Sequence, residues 1–405
     1  MRILVVTAAL PPARTPEGEY ILIAANQLAK RGHDVTVLTT KGHVADHPDV
    51  TVLPLMKDWS WSSLPRMASA LRRLKPDAIL LMYVGWIYDF HPMVTMLLSI
   101  SRRLLPQGGF LSVIPQVAGA HELRTWLRVA RPLSRVLRTS PPQPMFGTLL
   151  ADSDAVLTFS ESMRRRLQEM APAARPEIWV APPPSMLRRA TDPAAARLQV
   201  RRRLGIPKDT FLFTSFGCMY GSKGLEYLLR ALPAVIAGTD KDVRLMFLGG
   251  VLDGLNSKEY VAMLREMAAT IGVMDRIIWA GEFDRDLEDA SAALYASDAA
   301  AFPLIDGVQM SNSSVVAALV HGLPLVTTAS NLTDALFEDG ANVLLVPPRD
   351  PDSLAKAMLR MIREPETMAR LKEGAQSTGK TWPDSAELGR LIERRLSECT
   401  QHRGR

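Results

Sequence analysis

Residues 303–328, PLIDGVQMSNSSVVAALVHGLPLVTT, run from a short apolar stretch into Asp306-Gly307, through a Ser/Asn cluster and into an alanine-rich segment that ends at His321-Gly322. This order reads as strand, loop, helix, strand. The strand of residues 299–304 should stop at the turn pair Asp306-Gly307, and Ser311, Asn312, Ser313 and Ser314 are residue types that cap a helix start. A helix start presents backbone N–H groups without partners and the positive end of the helix dipole, which together attract phosphate. The unit therefore reads as a strand-helix-strand element whose loop holds a phosphorylated ligand. A plain helix cap in an ordinary α/β protein is the competing reading.

The flanking sequence extends the same alternation in both directions. Before it, apolar runs at 3–7, 35–39, 50–54, 78–82, 110–114, 155–159 and 178–180 read as strands, with helices at 21–30, 63–74 and 161–170. After the Pro-rich and Arg/Ala-rich run of 182–203, strands are expected at 211–216, 244–248, 276–280, 299–304, 325–328 and 343–346. The expected helices of this second series are 225–237, 258–271, 287–295, 314–320 and 353–363. Strands alternating with helices make parallel sheets. Two such series in 405 residues imply an α/β protein of two doubly wound, Rossmann-like domains, 1–190 and 191–375, with 376–405 a C-terminal helix packing back toward the first. Ligands of such sheets bind beyond the carboxyl ends of the strands, so the expectation is a site in a cleft between the domains.

Composition narrows the class further. With 47% hydrophobic and 22% charged residues the chain is a globular protein, not a disordered one. No apolar run reaches the length of a membrane span, and the opening MRILVVTAAL reads as a buried first strand, so a cytoplasmic protein is expected. Two cysteines, Cys218 and Cys399, suggest neither a disulfide framework nor a metal cluster. A net charge of +6 suits anionic ligands or membrane surfaces.

Four segments then agree in order and spacing with one family. MRILVVTAALPP with LAKRGHDVTVLTT, FGCMYGSKGLEYLLRAL, IIWAGEFDRDLEDASAALYASDAAAFPL, and the opening stretch followed by NVLLVPPRDPDSLAKAM resemble the large group of GT-B-fold retaining glycosyltransferases, of the family four or "group one" type. The resemblance covers nearly all of the second domain and the first forty residues, and it is weak between about 83 and 148. It implies a transferase moving a sugar from a nucleotide diphosphate donor to a hydroxyl acceptor, with retention, in polysaccharide or glycoconjugate biosynthesis. Cofactor and metal are expected to be none, and nucleic acid is not an expected partner.

The residues suit that chemistry. Lys223, in the loop that begins at Gly217, places a cation where it can neutralise the diphosphate, and the helix start at Ser311, Asn312, Ser313 and Ser314 adds N–H donors. A solvated surface Lys is the plain alternative. Glu282, after Gly281, falls where the family holds the base, though it also reads as a helix-start acid. The departures are as informative. Cys218 stands where many members carry an Arg, and the usual pair of glutamates falls at Gln309 and Ala317. Asp306-Gly307 resembles a subgroup in which such a turn replaces that pair. Asp306 and Lys223 are therefore the expected catalytic residues. Gly217, Glu282, Gly307 and the Ser/Asn cluster join them as donor-binding residues. With the glutamates gone, a nucleotide-sugar epimerase or a non-catalytic nucleotide-sugar-binding protein remains an alternative.

On the acceptor side, Gly18 and Glu19 read as part of a loop that begins at Pro11, and Asp89 and His91 follow the strand of 78–82 near Tyr83 and Trp86. Asp152 and Asp154 have the spacing of a metal-binding pair but precede a first-domain strand. Arg124, Arg128, Arg131, Arg135 and Arg138 recur at helical spacing. That pattern allows either a solvated helix face or contact with an anionic membrane presenting a lipid-linked acceptor, at the inner face of the membrane.

Overall fold

The computed structural model describes residues 1–13, 15–43, 48–116, 127–128, 131–132, 134–135, 142–143, 145–171, 176–251, 256–282 and 288–401. The chain divides into two compact units, Met1–Pro184 with Pro383–Arg405, and Ser185–Trp382. The first contains β1 (Arg2–Val6), α1 (Pro16–Lys30), β2 (Asp34–Thr40), β3 (Thr51–Met56), α2 (Leu64–Leu74), β4 (Ala78–Met82), α3 (Leu97–Leu104), β5 (Gly109–Val113), α4 (Leu149–Asp152), β6 (Ala155–Thr158), α5 (Glu161–Met170) and β7 (Glu177–Val180). The second contains α6 (Pro193–Arg203), β8 (Phe211–Phe216), α7 (Leu225–Ala237), β9 (Val243–Leu248), α8 (Ser257–Thr270), β10 (Ile277–Gly281), α9 (Asp289–Ala296), β11 (Ala299–Phe302), α10 (Ser313–Val320), β12 (Leu325–Thr328), β13 (Leu344–Val346), α11 (Pro351–Arg363) and α12 (Pro365–Thr381). The last helix, α13 (Ser385–Gln401), belongs to the first unit.

Both sheets are parallel and doubly wound. The first has the order β3-β2-β1-β4-β5-β6-β7 and the second β10-β9-β8-β11-β12-β13. In each, the chain winds outward on one side of the first strand and then returns to build the other side. The connections therefore diverge between β1 and β4 in the first unit and between β8 and β11 in the second, which are the switch points where doubly wound sheets bind ligands.

The second sheet explains why its strands are apolar throughout. Successive strand side chains point to opposite faces. Phe211, Phe213, Leu245, Phe247, Ala299 and Ala301 pack on one face with Leu228 and Leu232 of α7 and Met358 of α11. Leu212, Met246, Leu248, Ala300 and Phe302 pack on the other with Leu294 of α9 and Leu319 of α10. In the first unit α13 lies against α1 and β5. Glu393 of α13 accepts from Arg31 Nε at 2.5 Å and lies 2.9 Å from His33 Nε2.

One expectation needs correction. Gly18 and Glu19 are not in a loop: α1 begins at Pro16, because Thr15 caps it by accepting from the Gly18 N–H at 3.0 Å and proline at the first helical position loses no hydrogen bond. The run 182–203, where the second series was expected to start, contains a helix of its own. Asp192 accepts from the N–H groups of Ala194 and Ala195, both at 3.0 Å, and starts α6. That helix is fixed by Arg197 and Arg201, which pair with Asp298 at 2.6 Å each. Of the basic segment, Arg124 and Arg138 lie outside the described residues, and Arg128, Arg131 and Arg135 are exposed. No helix among those described is long and apolar enough to cross a membrane.

Candidate functional site

The site of the second unit is built where its two central strands, β8 and β11, end side by side. Beyond β8 the backbone reaches Gly217 at φ +109°. A Cβ placed there would lie 2.3 Å from Ser314 Oγ, so the absence of a side chain at Gly217 lets the first turn of α10 close onto the β8 loop. Six residues on, a short 3-10 turn (Gly221–Lys223) carries Lys223, and Gly224 follows in the left-handed region. This turn is tied to the loop after β11 by the Ile305 N–H, which donates to the Ser222 carbonyl at 3.1 Å. The N-terminus of α7 is held in turn by Tyr260, whose hydroxyl accepts from the Leu225 N–H at 2.8 Å and donates to the Glu226 carboxylate.

Lys223 is half-buried, with Nζ 5.4 Å from the centroid of the Tyr220 ring. Among the described residues no carboxylate forms an ion pair with it. Its charge is thus available to a ligand, and the aromatic face beside it tolerates the cation when it is partly desolvated.

The start of α10 differs from the expected capping arrangement. Asn312 occupies the N-cap position, but its Oδ1 accepts from the Gln309 N–H at 2.7 Å and bonds to no helix N–H. It closes the preceding turn instead. Among the described residues, no side chain caps the N–H groups of Ser313 and Ser314, which stay open at the positive end of the helix dipole. Ser311 and Ser313 are half-buried beside this opening, and Ser314 is buried against Gly217.

A residue that the sequence reading passed over holds the loop. Asp334 is buried and accepts from the Met310 N–H at 2.8 Å, so a loop 24 residues further along the chain anchors the segment leading into α10. Asp306 itself is exposed on the turn after β11, and its backbone carbonyl accepts from Ser330 Oγ at 2.6 Å. Gly307 has φ +76°, and a Cβ there would meet Ser330 Oγ at 2.6 Å, which accounts for glycine at this turn. Glu282 is exposed beyond β10 and its side chain lies against Gly250 at the end of β9. Lys223, Gly217, Ser314 and the turn at Asp306-Gly307 thus share the β8/β11 switch point, whereas Glu282 sits two strands away. Ala317, where the family's second glutamate would fall, is buried in α10.

At the first unit's switch point the expected acceptor-side residues separate by role. Gly18 is buried in the first turn of α1, and Glu19 is half-buried one residue on. His91 caps the 3-10 turn Pro92–Met96, its Nδ1 accepting from the Met93 N–H at 3.2 Å, and burial lowers its pKa. Asp89 is exposed and, with Phe90, adopts a left-handed backbone, φ +51° and +52°. Asp152 and Asp154 are occupied by Arg102, and Asp154 also accepts from the Phe110 N–H at 2.8 Å. Among the described residues no group of three or more His, Cys, Asp or Glu side chains could hold a metal ion. A cavity of about 570 Å³ lined by Lys208, Asp209, Asp240, Lys241 and Asp242 opens at the amino edge of the second sheet. It lies at the wrong end of the strands for a doubly wound site, and Asp242 there is already paired with Arg244 and Arg276.

Comparison with known proteins places these units. Residues 210–364 match the family described as "Glycosyl transferases group 1", and residues 18–184 match "Glycosyltransferase Family 4". A D-inositol 3-phosphate glycosyltransferase of Xylanimonas cellulosilytica is 26% identical over 398 residues, covering 91% of this chain and 88% of that protein. Among solved structures, Anabaena Alr3699/HepE in complex with UDP and glucose superposes with a TM-score of 0.73 at 18% identity, over 98% of this chain and 99% of that one. Sucrose-phosphate synthase from Thermosynechococcus elongatus gives 0.75 at 16% identity, over 99% and 100%.

Proposed function

We propose that this chain, a glycosyltransferase of the GT-B fold, moves a sugar from a nucleotide diphosphate donor to a hydroxyl acceptor, with the donor diphosphate held at the β8/β11 switch point. The observation that carries the proposal is the pairing of an uncapped helix start with an unpaired lysine. Two N–H groups at the start of α10 and the charge of Lys223 belong to loops at the same switch point, and among the described residues no carboxylate pairs with Lys223.

As the bond between sugar and diphosphate breaks, its electron pair leaves with the diphosphate and negative charge grows there. Oriented N–H donors and a fixed cation stabilise that charge without reorganising, and the helix start contributes about half an elementary charge. Asp306, exposed at the turn, is placed to accept hydrogen bonds from sugar or ribose hydroxyls. Ser311 and Asn312, neutral donors, stand where the resembling subgroup often carries arginines. Glu282 is assigned to the base side of the nucleotide.

Retention of configuration is part of the proposal and rests on the family resemblance. The relatives named for D-inositol 3-phosphate and the structures holding UDP or UDP-glucose make UDP-glucose the first donor to try. A hydroxyl acceptor, lipid-linked in one version of the proposal, and peripheral contact with the inner face of a membrane fit the chain's net charge of +6.

A panel of nucleotide diphosphates scored by thermal shift, followed by turnover with the matching nucleotide sugars, tests the reading. Stabilisation by one diphosphate and its release on turnover in the presence of an acceptor are expected. Sugar interconversion without acceptor would instead identify an epimerase, and binding without release a non-catalytic protein.

A further inference from the structure

Glu17 lies in the first turn of α1, at the carboxyl edge of the first sheet and beside the β1/β4 switch point. The residue is half-buried, but its Oε2 is closed off from solvent and, among the described residues, no group bonds to it. Burial pushes its pKa up to about 7, against a smaller opposing effect of its own backbone N–H. Tyr20 stands three residues on, hence on the same face of the helix, and its hydroxyl is a second buried polar group without a protein partner. The Tyr20 ring is fixed against Phe159, with centroids 4.6 Å apart.

An acid at a helix start normally faces water, where the helix dipole favours it and solvent completes its hydrogen bonds. Glu17 Oε2 has the dipole but not the solvent. A carboxylate offers about four acceptor positions, and leaving a buried acceptor unsatisfied costs about 1–3 kcal/mol. A ligand O–H group would satisfy it. A phosphate would find no counter-charge, because among the described residues no cation forms an ion pair with Glu17, in contrast to the Lys223 region of the second unit.

We infer that Glu17 binds the acceptor, its carboxyl taking the hydrogen bond of a hydroxyl on a neutral, polyol-type molecule at the β1/β4 switch point. The inference rests on the transferase reading above and extends it to the chemical class of the acceptor.

Two measurements test it. N,N′-dicyclohexylcarbodiimide adds to protonated carboxyls that a small neutral molecule can reach, so treatment at about pH 6 should leave an N-acylurea on Glu17, located by mass spectrometry and lost in Glu17→Gln. No label at Glu17 overturns the claim that the carboxyl is reachable. Transfer is then followed with UDP-, GDP- and ADP-glucose as donors and glycerol, myo-inositol and D-glucose as acceptors. Glu17→Gln should raise the acceptor KM about tenfold while leaving the donor KM within about twofold, and Glu17→Asp should recover part of the loss. Unchanged kinetics, equal loss for donor and acceptor, or wild-type transfer only to water would overturn the inference. Should the wild type turn over none of the donors, the transferase reading fails by itself, and the labelling result alone decides whether Glu17 is an open carboxyl.

Discussion

Gly217 and Ser314 meet so closely that a methyl group on the first would lie 2.3 Å from the hydroxyl oxygen of the second. They are 97 positions apart, one just beyond β8 and the other in the first turn of α10, and their contact brings the uncapped start of α10 against the loop that carries Lys223. Gly217→Ala should therefore disturb the phosphate region and the backbone together. With φ at +109°, an alanine is strained as well as crowded. We expect a loss of about 1–3 kcal/mol in stability and weaker nucleotide diphosphate binding. Wild-type melting and unchanged affinity in this variant would show that the contact yields without cost.

Lys223→Ala should reduce affinity for nucleotide diphosphates and leave nucleoside binding alone. A charge-assisted hydrogen bond contributes about 1.5–3 kcal/mol, so a loss of roughly 10- to 100-fold is expected by titration calorimetry. Equal losses for diphosphate and nucleoside would move Lys223 out of the phosphate site.

Asp306→Asn preserves most of the turn chemistry and removes the charge. Because Asp306 is exposed and its turn is secured through backbone and Ser330 contacts, stability should change little. Turnover should fall by about tenfold or more if the carboxylate holds sugar or ribose hydroxyls. Full turnover with unchanged stability would leave Asp306 as a turn residue only.

Lys223 and the start of α10 are assigned the stabilisation of leaving-group charge, so turnover is expected to persist in the presence of a chelator. Turnover abolished by EDTA and restored by magnesium or manganese would show that this assignment is incomplete.

His321 predicts a pH dependence of stability. It is buried, its Nδ1 lies 2.6 Å from the Ala317 carbonyl and its Nε2 2.8 Å from Ser291 Oγ, and burial lowers its pKa from 6.5 to about 4. Nδ1 must donate to the Ala317 carbonyl, so in the neutral ring Nε2 accepts from the Ser291 hydroxyl, which itself accepts from the Ala190 N–H. Between these two pKa values the unfolded chain carries a proton that the folded chain does not, and acid therefore favours unfolding. This contribution to stability should be complete above about pH 6.5 and decline as the pH falls toward 4. Denaturant melts across this window should show a smaller pH slope in His321→Gln than in the wild type; an equal slope would assign the dependence to other groups.

The alternating strands and helices were legible in the sequence because parallel strands covered on both faces must be apolar at nearly every position. The apolar runs at Phe211–Phe216 and Ala299–Phe302 announce themselves without knowledge of their neighbours. The starts of α1 and α6 were also written locally, in Thr15-Pro16 and Asp192-Pro193, but nearby glycine, proline and arginine obscured them. Lys223 and the Ser/Asn cluster could be singled out by residue type and by resemblance.

What those residues do to one another could not be read the same way. Nothing in residues 309–312 says that Asn312 will bond backward to Gln309 and leave α10 uncapped, since Asn serves turns and caps equally well. Nor does spacing reveal that Asp334 anchors Met310, that Gly217 receives Ser314, or that Glu17 Oε2 is closed off without a partner among the described residues. The sequence by itself determined the strands, the helices and the kinds of chemistry available, because these follow from periodicity and residue type over a few neighbouring positions. Only the tertiary structure decided which polar groups are satisfied and which remain open, because that depends on residues distant in the chain being brought within a few ångströms by the packing of the sheets.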